Sequence, residues 1–313
     1  MEIAELTPEE RRRRKQGVVA LLVVQLFFGL FPLFGKRAFP HFAASAVAGW
    51  RITVGATVLG ALAFALHGRK ALLARADIPR LALCGLLGVV LNMALFLEGL
   101  QRSTAVNSAL LLPLIPVFTA IVAVVLREER FDKVRALGMA VAFAGASLIL
   151  FGKTGGLDAG HTVGNLLIVA NEICYAIYLV IARPLLKRYP PLVLTAWVFL
   201  SSVWGIPFLF GSDAPPVPEG APSSAWWAIL YIVVFPTIFT YLLNAFALAR
   251  VSASTTAAFI FIQPMITVVG ALLWLGESLP ENFVFATLLT FGGVWIVARR
   301  PAVRPLAPPE PAH

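Results

Sequence analysis

Residues 96–126 read FLEGLQRSTAVNSALLLPLIPVFTAIVAVVL, and residues 244–274 read NAFALARVSASTTAAFIFIQPMITVVGALLW. Laid over one another, Leu100 meets Leu248, Arg102 meets Arg250, Thr104 meets Ser252, Ala105 meets Ala253, Ala109 meets Ala257, Pro116 meets Pro264 and Thr119 meets Thr267. Further on, Glu129 meets Glu277. The earlier part of each half aligns as well, one residue out of that register. Gln25 meets Glu172, Phe28 meets Tyr175, Phe31 meets Tyr178, Lys36 meets Arg183 and Trp50 meets Trp197. The chain is therefore built from two related halves.

Composition says what surrounds those halves. Of 313 residues, 59% are hydrophobic and 13% charged, against about a quarter charged in a soluble domain. A helix needs roughly 20 apolar residues to cross a bilayer core. Ten such stretches are present, at 17–38, 43–66, 79–99, 104–126, 133–151, 162–182, 191–211, 224–247, 252–275 and 282–298. The expected fold is an all-α integral membrane protein. Its repeats are 17–151 and 162–298, flanked by disordered polar or Pro-rich tails at 1–16 and 299–313. Five spans per repeat is an odd number, so the two repeats are inverted, as in many secondary transporters.

The net charge of +9 would suggest a nucleic-acid partner in a soluble protein. Its placement here gives another reading, and no nucleic acid is expected. Arg11 to Arg14, Lys15, Arg69, Lys70, Arg75, Arg80, Arg127, Arg130, Lys133, Arg135, Arg183, Lys187, Arg188, Arg250, Arg299, Arg300 and Arg304 all fall in the tails or even-numbered loops. The odd loops hold only Lys36, Arg37, Arg102 and Lys153. The positive-inside rule then places both termini in the cytoplasm. The Arg-rich start ahead of an apolar run is like a signal peptide, but the run is long enough to stay as a first helix. Cys84 and Cys174 lie among apolar neighbours and read as inert thiols. FGKTGG at 151–156 lacks the first glycine of a phosphate loop, since Ser147 stands there. No cofactor or metal site is expected.

Several polar side chains stand where a bilayer makes them expensive. Glu172 lies mid-span beside Asn171, and a carboxylate there costs about 2.5–3.5 kcal/mol on insertion scales. It must face the bundle or a watery cavity. Its mate Gln25 is followed by Phe28 and Phe31 at the spacing at which Tyr175 and Tyr178 follow Glu172. One reading is a midplane solute site with aromatic walls; the other is a structural hydrogen bond from Glu172 to Gln25 or a neighbouring hydroxyl. Asn92 and Thr240 match, as do Phe96 and Asn244, and Asn107 and Thr255. With Gln263, these polar groups either line a cavity or act as interhelical glue. Glu98 is either a helix end paired with Arg102 or a group at a cavity rim. Arg51 sits eight residues into its span, so it either pairs with a carboxylate or marks a boundary drawn too early. Lys36 and Arg183 lie at span ends, where long cations snorkel to the interface. Glu129 and Glu277 are expected to bond to the start of the next helix or to nearby basic groups.

Proline removes a helix hydrogen bond, so Pro116 and Pro264 are expected to free the carbonyls of Leu112 and Ile260. Pro113 adds a second break. These matched kinks either gate the path or shape a static bundle. Gly145, Gly292 and Gly293 are expected at close helix contacts.

The doubled pattern of A-x-x-x-A, a mid-helix proline and a terminal glutamate resembles the drug/metabolite transporter superfamily in its EamA-type ten-helix branch. The best-matching pieces are Leu100 to Glu129 and Leu248 to Glu277. Arg127-Glu128-Glu129 departs from the Leu-Gly-Glu that the second half keeps at Leu275-Gly276-Glu277, and Glu98 stands where a small residue is usual. The resemblance implies a ten-helix basket around a central cavity, exporting amino acids or other small metabolites from a bacterium through its inner membrane. The expected partners are a small-molecule solute and the lipid bilayer. Proton coupling through Glu172 or Glu98 and facilitated diffusion both stay open, as does the oligomeric state. A multispan enzyme acting on lipid-linked substrates is the alternative, but His41, His67, His161 and His313 are scattered. A non-transporting sensor or scaffold would lack any soluble output domain.

Overall fold

In a bilayer every backbone polar group must be satisfied within the protein, and an apolar chain does this by folding into helices. The computed structural model describes residues 7–128, 132–151, 159–211, 214–248, 250–251 and 259–299. Eight helices are long and apolar enough to cross a membrane: α1 (Pro8–Ala38), α2 (Ala44–Ala71), α3 (Arg75–Arg102), α4 (Ala105–Val125), α5 (Lys133–Leu150), α6 (His161–Leu186), α7 (Pro191–Leu209) and α8 (Ser223–Asn244). Two shorter apolar helices follow, α9 (Ile262–Leu275) and α10 (Phe283–Ala298). Phe208, Met265, Leu273 and Val284 are exposed on the outside of the bundle, the reverse of a soluble surface.

The first helix starts earlier than expected. Pro8 opens it, and a capping box closes its end: Glu10 N–H donates to Thr7 Oγ1 at 3.3 Å and Thr7 N–H to Glu10 Oε2 at 2.8 Å. The stretch from Pro8 to Gln16, expected as part of a disordered tail, is thus the beginning of α1. Apart from Arg299, the C-terminal tail lies outside the described residues, as do Glu129, Thr255 and the Ser252, Ala253 and Ala257 of the quoted repeat.

Packing follows the repeat. The largest interfaces are α5 with α10, α3 with α6, α2 with α7, α1 with α8 and with α9, and α4 with α6. Exchanging each helix for its counterpart five places along leaves that set unchanged: α3–α6 becomes α8–α1, α4–α6 becomes α9–α1, and α2–α7 and α5–α10 map onto themselves. Two large apolar cores result, beside a small cluster of Ala20, Leu21 and Ala247. One joins residues of α1 to α3 with residues of α6 to α8; the other joins α4 and α5 with α9 and α10. Both cores draw on both repeats, so the repeats interlock. The matched tryptophans show the same exchange. Trp50 Nε1 donates to Pro216 O in the α7–α8 loop at 2.8 Å, and Trp197 Nε1 to Ala71 O at the end of α2 at 2.6 Å.

Close approach needs small residues. A Cβ on Gly99 would meet Gly164 O at 2.7 Å, and one on Gly164 would meet Gly99 O at 2.8 Å, so α3 and α6 touch through backbone. Gly145 and Gly293 make comparable approaches between α5 and α10, whereas Gly292 faces open space, contrary to expectation.

The helices break in matched places. α4 is α-helical over Ala105–Leu111, tightens to a 3-10 turn at Leu112–Leu114 and resumes at Ile115–Val125. In α9 the α-helical part begins at Ile262, so Pro264 lies in its first turn and not mid-helix, where a missing N–H leaves few bonds unmade. The carbonyls expected to be freed are taken up by tighter turns. Ile115 N–H donates to Leu112 O, and Gln263 N–H to Ile260 O at 3.1 Å. A second matched pair is widened: π-type turns run over Leu86–Leu91 in α3 and Phe235–Phe239 in α8, a feature that recurs at functional sites.

Candidate functional site

The widened turn in α8 sets the geometry at its centre. Pro236 has no N–H, so Ile232 O loses the donor an α-helix would give it. Thr237 replaces it, donating from Oγ1 to Ile232 O at 3.0 Å. Thr237 Oγ1 in turn accepts from Arg51 Nε at 3.0 Å. Arg51 lies on α2, only 7% exposed, and its guanidinium lies over the Phe31 ring at 4.6 Å. Phe31 in turn stacks on Phe96 of α3 at 5.4 Å. Arg51 is thus genuinely buried, and among the described residues no carboxylate pairs with it.

Facing elements supply the rest. On α6, Tyr175 and Tyr178 lie 5.5 Å apart ring to ring, and Tyr241 of α8 is within electrostatic reach of both and of Arg51. These three tyrosines are partly buried within the bundle. Gly88 lets Tyr178 lie against α3, since a Cβ there would meet the ring at 2.6 Å. Asn171 Nδ2 donates to Asn92 O at 2.7 Å, tying α6 to α3.

Glu172 is fully buried, and neither of its carboxyl oxygens has a hydrogen-bond partner. The bond to Gln25, one of the two readings of this residue, is not made. Gln25 Oε1 accepts from Gln263 Nε2 of α9 at 2.6 Å. Repeat symmetry explains the difference. The partner of Gln25 is Gln263, whose counterpart for Glu172 is Ile115, a side chain with nothing to offer a carboxyl. The halves match in fold and differ at this point in chemistry.

Other expected residues lie apart from this cluster. Glu98 pairs with Arg102 at 3.0 Å at the end of α3. Asn107 is buried in the first turn of α4, where its N–H donates to Thr104 Oγ1 at 3.0 Å. Thr240 donates within its own helix to Phe235 O at 3.0 Å. Phe28 and Asn244 are half-buried on α1 and α8. Pro113, Pro116 and Pro264 sit at the breaks already described. Sequence reasoning missed Thr237 and Tyr241 and undervalued Arg51; the signal was a cation deep in a span and a Pro-Thr step in another. Outside the cluster, an apolar groove of about 340 Å³ between α1 and α9, lined by Leu30, Met265, Ile266, Val269, Gly270, Leu273 and Trp274, carries none of this polar chemistry and opens toward lipid.

The comparisons agree with the repeat. The model of the EamA-like transporter family matches twice, over residues 15–151 and 162–299. The chain is 29% identical over 255 residues to a protein of Streptantibioticus cattleyicolor named "Probable terminal-alkyne amino-acid exporter", covering 80% of this chain and 82% of that one. It is 27% identical over 256 residues to the "Uncharacterized transporter YyaM" of Bacillus subtilis, covering 80% and 83%. A solved crystal structure 16% identical in sequence shares the fold, with a TM-score of 0.60 over 90% of this chain and 96% of that one. With both halves matched, this integral membrane protein belongs to the EamA-like transporter family.

Proposed function

We propose that the chain exports a small organic solute of the amino-acid class from a bacterial cell by alternating access. The observation that carries this reading is the central cluster. Arg51, Glu172 and the tyrosines are drawn from both repeats and lie within their spans, and secondary transporters bind their cargo near the midplane between repeats. The relative named as an amino-acid exporter supports the solute class. Both termini face the cytoplasm in this reading, which the Arg and Lys distribution supports. Because the repeats interlock, the moving parts are the matched breaks of α4 and α9 and the widened turns of α3 and α8, not two separate halves. Glu172 carries the proton in a coupled cycle. A carboxyl group with no partner is stable in a dry interior as the neutral acid, and opening to water lets it ionise. Uptake of labelled amino acids into proteoliposomes, with and without a proton gradient, tests the proposal. Flux above that of protein-free vesicles supports it, and none for any solute with folded protein overturns it.

A further inference from the structure

We infer that Arg51 binds the carboxylate of the transported solute, so the cargo class is carboxylate-bearing small molecules. This rests on the transporter reading of the same site. The guanidinium is held on two sides: Nε is spent on Thr237 Oγ1 at 3.0 Å, and the planar face lies over Phe31 at 4.6 Å. Those contacts fix the plane and leave the two terminal nitrogens free of bonds to any described residue. Arg51 keeps 7% of its surface exposed, so the side chain is not wholly enclosed. An edge of two parallel N–H donors, preset in orientation and not spent on the protein, matches a carboxylate bidentately. A buried cation without an anion is also an unstable arrangement, and a carboxylate arriving with the solute supplies the missing charge. Glu172 differs in the decisive respect. Its oxygens are completely enclosed, so it is closed to a ligand in the same conformation in which Arg51 is not wholly enclosed. Phe31 and Tyr241 stand beside the cation, with Phe96 stacked on Phe31 and Tyr178 within reach of Tyr241, and this aromatic group accepts the apolar remainder of the solute.

The test uses the full chain in proteoliposomes and matched pairs of solutes: leucine against its decarboxylated amine, and phenylalanine against phenethylamine, each with its 2-oxo acid as a third arm. The wild-type protein is expected to move the carboxylate members at least about 100-fold faster than the amines, since a site built to bond a polar group can reach about 10⁴–10⁵. Preference shared by amino acid and 2-oxo acid assigns recognition to the carboxylate alone; preference for the amino acid alone adds the ammonium group. Both outcomes support the inference. Arg51→Gln should abolish the preference, and Arg51→Lys should keep part of it, because an ammonium is a point charge without the fork. The wild-type comparison needs no variant, so it stands even where Arg51→Gln misfolds. Equal flux of amine and amino acid in the wild type, or a preference that survives in folded Arg51→Gln, overturns the assignment while the carrier reading stands. Absence of flux for every solute overturns both.

Discussion

Glu277, at the end of α9, accepts a hydrogen bond from the Ala105 N–H at the start of α4 at 2.8 Å. Its second oxygen accepts from Val106 N–H at 3.0 Å. The residue thus caps a helix of the other repeat, not the helix that follows it. A carboxylate there meets two unsatisfied amides and the positive end of the α4 dipole. Lys36 of α1 reaches the same corner, where it donates to Gln101 O and Ser103 O and lies within electrostatic reach of Glu277. Arg183, the counterpart of Lys36, pairs with Glu128 beyond the end of α4 at 3.1 Å. The two corners lie at opposite ends of α4.

The cap has a measurable worth. Glu277→Ala leaves two α4 amides unpaired and should cost about 1–2 kcal/mol of stability, read as a lower Tm in detergent. Glu277→Gln keeps one acceptor and should cost less. An unchanged Tm for Glu277→Ala would show that water or a neighbour replaces the cap.

The spans and the repeat were readable from the chain because both are linear signals. Apolar length marks a span, and Pro116 over Pro264 or Trp50 over Trp197 marks a register. Pairings between distant segments were not readable in that way. Gln25 had two chemically sound partners, Glu172 and Gln263, and only the packing of α1 on α9 chose between them. The fate of the Leu112 and Ile260 carbonyls turned on a local tightening of the helix, which a missing proline N–H allows but does not dictate. Arg51 looked misplaced because its partner, Thr237, comes from a helix of the other repeat and is turned toward it by the widened stretch after Val234.

Thr237 joins fold and site in one hydroxyl. Thr237→Val keeps the side-chain shape and leaves both Ile232 O and Arg51 Nε without their partner. Leaving a buried polar group unsatisfied costs about 1–3 kcal/mol, so the valine variant should melt well below the wild type and Thr237→Ser close to it. Equal melting of the valine variant would mean that neither bond matters to the fold.

The matched breaks make a kinetic prediction. Pro116→Ala with Pro264→Ala restores two N–H groups and favours continuous helix through α4 and α9. Insertion and Tm should be maintained, while flux falls by about tenfold, the effect of roughly 1.4 kcal/mol on the barrier. Undiminished flux would make the breaks static features that only shape the bundle.

Glu172 gives the sharpest separation of structure from mechanism. Its oxygens meet no donor, so the folded arrangement has no bond that an ionised carboxylate would strengthen. Glu172→Gln replaces a carboxyl that has no partner to lose by an amide of the same shape, and Tm should not fall. Transport should respond differently. The glutamine cannot release a proton when the site opens to water, so flux should lose its dependence on pH and on an imposed proton gradient. Measuring uptake across a mildly acidic to mildly alkaline series, with wild type and variant reconstituted at equal density, checks this. A variant with the wild-type rate and the wild-type pH profile would remove Glu172 from the transport cycle and leave it a tolerated buried acid.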